Sequence, residues 1–465
     1  MLSSTNSLFL LLGFVVIFGG LSHLISFIST RTYSFSKDQY LLADRKMGFI
    51  QSSLSIAATW IWAPALFISA QQAYMHGWQG LFWFLIPNVA CLLLFSYFAV
   101  MIRNKFPNGY TLSNYMRTTY SPRVQSVYWV SLIGLAVCAF AVQLIAGASL
   151  IKLMTGIPFF VSTLILAIVP LTYSIMFGLK ASIITDFVKM VIMILFGICL
   201  VPYVVFGLGG VDVIMQGIGG NSGGYRDLFT QNSLTLFMTF GLPTTIGLIS
   251  GPFGDQSFWQ RTFATKQEDV KKSFIAAAFI FGIVPLIMGI IGLSAAGSGI
   301  TIKNVQMVNI ETIFYSTGVI GATIFFIIVM AALTSIIDSK LCAVSSIAGD
   351  DVAGILGRGF ILPSKISMIL LVIAAVAIAN MPGLKILHLF LFYGTLRSAT
   401  LIPTVLSLLR DDIPESGIFY GIITAIIIGL PTFTYGNING IPALIVAGSL
   451  MTVLLPYCVI LAMKK

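Results

Sequence analysis

Apolar stretches about as long as a bilayer is thick recur from one end of this chain to the other. At ~1.5 Å rise per residue, about 20 apolar residues cross the ~30 Å hydrocarbon core of a membrane. Thirteen such stretches can be marked between residues 6 and 463, beginning with 6–30, 47–76 and 78–102 and including 232–260 and 309–347. A soluble domain is excluded, because 465 residues that are 58% apolar and 9% charged, with mean hydropathy +1.00, have too little polar surface to cover themselves in water. In hydrocarbon an unpaired backbone group has no water to turn to, so each stretch is predicted to be helical and the fold class is all-α integral membrane protein.

Short cytoplasmic loops collect Lys and Arg. With an odd number of crossings and the N-terminus outside, eighteen of the 25 basic residues fall on the inner side, Arg31, Lys105, Arg261, Arg410 and Lys465 among them. Four, Lys152, Arg226, Lys303 and Lys385, fall outside. Lys189, Lys340 and Arg397 are expected inside spans near their inner ends, so no cation is predicted at midplane depth. This bias accounts for the net charge of +10, and no nucleic-acid partner is called for. The expected location is the cell membrane, with the C-terminus cytoplasmic and the first apolar stretch retained as a span, since no cleavage site follows it. The five cysteines sit in apolar segments without paired spacing and read as packing residues, and the three histidines are scattered, so no metal constellation is formed from these residues.

Two spans are predicted to break. In SIAATWIWAPALF, Pro64 removes a backbone donor and leaves carbonyls near Trp60 and Ile61 without helical partners. In LFMTFGLPTTIGLISGPFGDQ, the glycines and prolines from Gly241 to Gly254 make a continuous helix unfavourable and deliver Asp255 and Gln256 to the membrane. Five spans separate the two breaks, the spacing of two inverted five-helix repeats with a binding site between them. The chain then divides into an extra helix with its inner loop (1–46), a first repeat (47–207), an outer loop (208–231), a second repeat (232–409) and two C-terminal helices (410–465).

Five segments in order, YLLADRKMG from Tyr40, YTLSNYMRTTYS from Tyr110, FGLKASIITDFVK from Phe177, GDQSFWQRTFATK from Gly254 and ALTSIIDSKLCAVSSIAGDDV from Ala332, resemble the sodium/solute symporter family. The tryptophan-rich segment from Thr59 to Phe84 and DQSFWQR are most similar to its urea-permease branch. The resemblance implies the leucine-transporter type of fold and a sodium site made by the carbonyls of Ala58, Ile61 and Ala332 with hydroxyls at positions 335 and 336. Here Ser335 is followed by Ile336, which has no side-chain oxygen, leaving a water or Thr334 to fill in. It also implies a second cation site at Asp186, Ser335, Asp338 and Ser339. A buried carboxylate can instead carry a proton, so sodium, a proton or no coupling ion at all stay open.

Trp60, Trp62 and Trp83, with Asp255 and Gln256, are the candidate solute contacts, and aromatic walls with few polar anchors suit a small neutral or cationic solute, urea included. The acidic pairs Asp350 with Asp351 and Asp411 with Asp412 lack the further aspartates a metal-dependent membrane transferase needs. The chain is therefore expected to be a cation-coupled symporter of a small polar solute, without an enzymatic cofactor or an obligatory protein partner.

Overall fold

The computed structural model describes residues 13, 19–30, 36–384 and 386–464, and among them all regular structure is helical apart from one bridge between Met47 and Thr265. The helices that matter below are α1 (Leu21–Thr30), α2 (Phe49–Trp60), α3 (Ala63–Lys105), α4 (Pro122–Thr155) and α5 (Phe159–Gly207). They are followed by α6 (Leu242–Ile249), α7 (Gln256–Ala264), α8 (Val270–Ser298), α9 (Val308–Ile347), α10 (Ile361–Ala379) and α11 (Ile386–Ser398). Shorter segments and two C-terminal crossings complete the order.

Ten helices among the described residues are long and apolar enough to cross a membrane. The sequence divides more finely because two of them hold more than one span, and because the first stretch, 6–30, lies mostly outside the described residues, as do Arg31, Lys385 and Lys465. A straight helix of 43 residues, the length of α3, would run about 65 Å, twice the hydrocarbon core. Gly77 interrupts it at φ +57°, and Gly178 interrupts the 49-residue α5 at φ +63°. Both positions need glycine twice over. The left-handed backbone disfavours a side chain, and a Cβ would fall 1.9 Å from the Ile218 carbonyl oxygen at Gly77 and 2.3 Å from that of Tyr40 at Gly178.

The helices pair closely where residues are small, as lipid-immersed packing requires. Helix α8 lies along α3, with Gly292 against the Ala70 carbonyl, and α9 lies along α5. Gly247 of α6 meets Gly394 of α11, where an added Cβ would come within 3.2 Å of the opposing Cα. Loops gather by charge at one end. Arg45 donates to the carbonyls of Asn108 and Gly109, Lys37 pairs with Asp350, Lys105 with Asp411 and Lys464 with Asp412. At the other end residues 217–227 close over the Gly77 bend, where Gln79 donates to the carbonyls of Tyr225 and Asp227.

Gly178→Ala is expected to lower the melting temperature in detergent by several degrees, through ~1–2 kcal/mol of left-handed strain plus displacement of the Tyr40 carbonyl. Gly156→Ala, at φ +75° with nothing within 4 Å of its Cβ, is expected to show the strain alone, and differential scanning fluorimetry separates the two.

Candidate functional site

The two breaks face each other. Helix α2 stops at Trp60, Ile61 and Trp62 are non-helical, and α3 restarts at Ala63. Pro64 stands in the first turn of the new helix, where its missing N–H loses no helical bond, so it starts α3 and does not kink a continuous one. The freed Ala63 N–H is taken by Gln143 Oε1 of α4 at 2.8 Å. In the second break, α6 ends at Ile249 and α7 begins after Asp255, whose carboxylate caps the Ser257 N–H at 2.9 Å. Gly251 lets the Trp60 ring approach, since a Cβ there would lie 2.2 Å from its Cη2, and Gly254 makes the same room for Arg397.

Between the breaks the Trp60 and Trp62 rings stack at 5.2 Å and 27°. Tyr393 and Phe390 of α11 stand against Trp62 at 5.0 and 5.5 Å, and Phe258 of α7 stands against Trp60 at 5.2 Å. The Arg397 guanidinium lies 5.4 Å from the Trp60 ring, 5.3 Å from Trp62 and 5.5 Å from Tyr393, close enough for cation–π attraction. Its Nε donates to the Gly247 carbonyl at 2.6 Å, an oxygen left open because Gly251 N bonds Leu248 instead. Arg397 Nη2, Trp60 Nε1, Trp62 Nε1 and Tyr393 Oη are all buried without a hydrogen-bond partner.

A second cluster lies where α2, α5, α7 and α9 meet. Asp186 receives Arg261 Nη2 at 2.8 Å, Ser55 Oγ at 2.7 Å and the Ser335 hydroxyl. Asp338 receives Lys189 Nζ, Tyr173 Oη and Ser182 Oγ, each at 2.7 Å. Arg261 Nη2 also reaches Ser339 Oγ at 2.7 Å. A third pair joins Asp255 to Lys340, and all six charged side chains are at most 7% exposed. Each carboxylate thus has a cation from another helix. Asp186 does not pair with Lys189 three residues on, nor Asp255 with Arg261 six residues on: Lys189 goes to Asp338, Arg261 to Asp186 and Lys340 to Asp255.

Of the residues singled out in the sequence, Asp186, Ser335, Asp338 and Ser339 come together in this cluster; Ala58 lies in the last turn of α2, Ile61 in the break after it and Ala332 one turn before Ser335 on α9, all three buried. The Ala58 carbonyl accepts from Ile61 N at 3.2 Å. Thr334 turns its hydroxyl back onto the Met330 carbonyl at 2.7 Å, and Ile336 is buried. Trp60 and Trp62 form the aromatic wall. Trp83 is apart from it, its ring on Phe237 at 5.0 Å and over Gly241. Gln256 bonds Leu112 N, the Tyr110 carbonyl and Ser346, each at 3.1 Å, and so ties α7 to the loop before Leu112. Each member of the two acidic pairs is engaged as well, Asp351 by Thr111, Ser113 and Trp129.

Arg397 corrects the expectation that no cation stands at the depth of the breaks. It lies at the Trp60–Trp62 break, not merely at the inner end of its span. The signal was present, since an arginine inside the apolar run LHLFLFYGTLRS is a functional candidate by position alone, and Tyr393 sits four residues before it on the same helical face.

The sequence profile described as the sodium:solute symporter family matches residues 40–425. The chain is 22% identical over 458 residues to the urea-proton symporter of Oryza sativa subsp. japonica, covering 88% of this chain and 63% of that protein. It is 30% identical over 209 residues to the sodium/pantothenate symporter of Escherichia coli K12, covering 43% of this chain and 42% of that one. The chain thus spans less than two thirds of the length of either relative. In structure it superposes on a Na+-coupled sialic acid symporter, solved substrate-bound and outward-open, with TM-score 0.76 and 17% identity over 97% of this chain and 96% of that one. The fold is that of the leucine-transporter-like symporters.

Removing one partner of a buried ion pair leaves the other charge uncompensated, at about 3–5 kcal/mol. Arg261→Gln is therefore expected to destabilise strongly, and adding Asp186→Asn is expected to restore part of the loss, giving a coupling energy above ~1 kcal/mol in a double-mutant cycle of melting temperatures.

Proposed function

The chain belongs to the sodium:solute symporter family, and from that premise we propose that it is a secondary active transporter, carrying a small polar solute across the cell membrane on a cation gradient by alternating access. The observation that carries this reading is the pair of facing breaks at Ile61–Trp62 and Ser250–Asp255, which bring non-helical backbone and unpartnered polar side chains to one buried locus. Irregular backbone at membrane depth is tolerated where protein or a water-filled path covers it. On this reading the end where Lys37, Arg45, Lys105 and Lys464 gather is the cytoplasmic one, which puts the end of the last described helix inside.

Sodium is the first coupling ion. The carbonyls of Ala58, Ile61 and Ala332 with Ser335 Oγ offer hard oxygen ligands beside the α2 break, and the missing oxygen at Ile336 makes the site a weak one. A proton is the second reading, favoured by the rice relative, which is named a urea-proton symporter; Asp186 and Asp338 already hold Arg261 and Lys189, which counts against a second sodium ion at those carboxylates.

A ligand that binds only the folded protein stabilises it by about 2.7 kcal/mol at a hundred times its Kd. Titrating purified protein with sodium against potassium at constant ionic strength is expected to give a saturable, sodium-specific rise in melting temperature that Ser335→Ala abolishes. No sodium-specific rise, together with solute uptake into proteoliposomes that follows an imposed pH gradient, would replace sodium by a proton. Urea, the solute named for the rice relative, is the reference compound for those uptake assays.

A further inference from the structure

The buried charges at the centre of the protein do not balance. Asp186, Asp255 and Asp338 are matched by Arg261, Lys340 and Lys189, and Arg397 remains. It is 1% exposed, and among the described residues no carboxylate lies within salt-bridge distance of it. A guanidinium in such a place is normally paired. The groups in contact with its head are the rings of Trp60, Trp62 and Tyr393 and the backbone carbonyl of Gly247. Asp255 acts on it only from beyond ion-pair distance and is already held by Lys340.

The hydrogen-bonding inventory has the same bias. Arginine and indole N–H groups only donate, and the tyrosine hydroxyl can donate or accept. Arg397 Nη2, Trp60 Nε1, Trp62 Nε1 and Tyr393 Oη are all buried, all without partners, and all carried by side chains in ring or cation–π contact with one another. Four open donors and one uncompensated positive charge describe the complement of a planar anion with two acceptor oxygens. Urea has the same flat shape but the opposite inventory, one acceptor and four N–H donors, and it brings no charge. A cationic solute would add to the repulsion.

Building on the transporter reading above, we propose that Arg397 is the anchor of the solute site and that the solute class is a small monocarboxylate. Its carboxylate is held by the Arg397 fork and the two indole N–H groups, and its short body rests on the Trp60, Trp62 and Tyr393 rings. Arginine suits this role because its fork matches a carboxylate in two parallel hydrogen bonds. One unmatched cation at the site calls for one negative charge, so a dicarboxylate is disfavoured. Gly251 and Gly254 serve the same site by letting Trp60 and the Arg397 stem come against the second break.

The test is a panel of acetate, propionate, benzoate, succinate, urea and methylammonium at fixed pH, sodium and ionic strength. Each is read by melting temperature of the full chain in detergent and by labelled uptake into proteoliposomes against protein-free vesicles. Monocarboxylates are expected to stabilise and to accumulate, with urea, methylammonium and succinate inert. Arg397→Gln is expected to weaken monocarboxylate binding at least about 30-fold, with Arg397→Lys recovering only part. Trp62→Phe, which keeps a ring and removes one N–H, is expected to weaken it about 5- to 10-fold. Its ligand-free melting temperature reports folding separately. Accumulation of urea or methylammonium without any monocarboxylate response overturns the carboxylate assignment while leaving the transporter standing. Equal monocarboxylate affinity in Arg397→Gln overturns the anchor. No accumulation of any compound under either a sodium or a pH gradient overturns the transporter reading itself, and this proposal with it.

Discussion

Backbone groups in hydrocarbon must find partners inside the protein, and this requirement governs the breaks at the centre of the fold. Neither break could exist alone in lipid. They are held because their open groups are covered: from neighbouring helices by Gln143 on the Ala63 N–H and Arg397 on the Gly247 carbonyl, and from within the second break by Asp255 on the Ser257 N–H. The glycines of the second break admit Trp60 and the Arg397 stem, so the same contacts that satisfy the backbone also bring the aromatic rings and the guanidinium to one place. Local structure, packing and the candidate site are three consequences of one constraint.

The charged residues divide by the work they do. Arg261, Lys189 and Lys340 each join two elements through a carboxylate, linking α7 to α5, α5 to α9, and α9 to the second break. Buried pairs of this kind add little net stability and much geometric definition. Because the Asp186 and Asp338 networks include Ser55 of α2 and Ser335 and Ser339 of α9, any movement of α2 against α9 must rearrange them. Arg397 has no such partner and faces the rings. A cation that ties helices together and a cation left open at a break look alike in the sequence, and only their surroundings separate them.

What could be read from the chain followed the strength of each local signal. Bilayer-length apolar runs made the helices legible, and the breaks showed in Pro64 and in the glycines around Pro252, because proline and glycine act on the backbone directly. The break expected at Pro64 is there, with Pro64 in the first turn of the helix that restarts after it. Glycines at Gly77 and Gly178 coincide with boundaries between apolar runs, although nothing local says that one helix continues through each. Partner exchange among Asp186, Lys189, Arg261, Asp255, Asp338 and Lys340 was hidden, since near neighbours in sequence pair across helices whose arrangement no single segment encodes. Arg397 was visible as an arginine in an apolar run, but what it faces depends on how α11 lies against α6, which no single segment encodes.

The central claim is that the facing breaks form a locus reached alternately from the two sides of the membrane. A single cysteine in place of Phe390, beside Trp62 but outside the donor set, reports this in a background lacking the five native cysteines. Its labelling by a membrane-impermeant maleimide would be measured from each face of oriented vesicles, with and without the coupling cation. The account predicts that conditions which raise reactivity from one face lower it from the other. Reactivity that rises from both faces together, or that is confined to one face under all conditions, would contradict it.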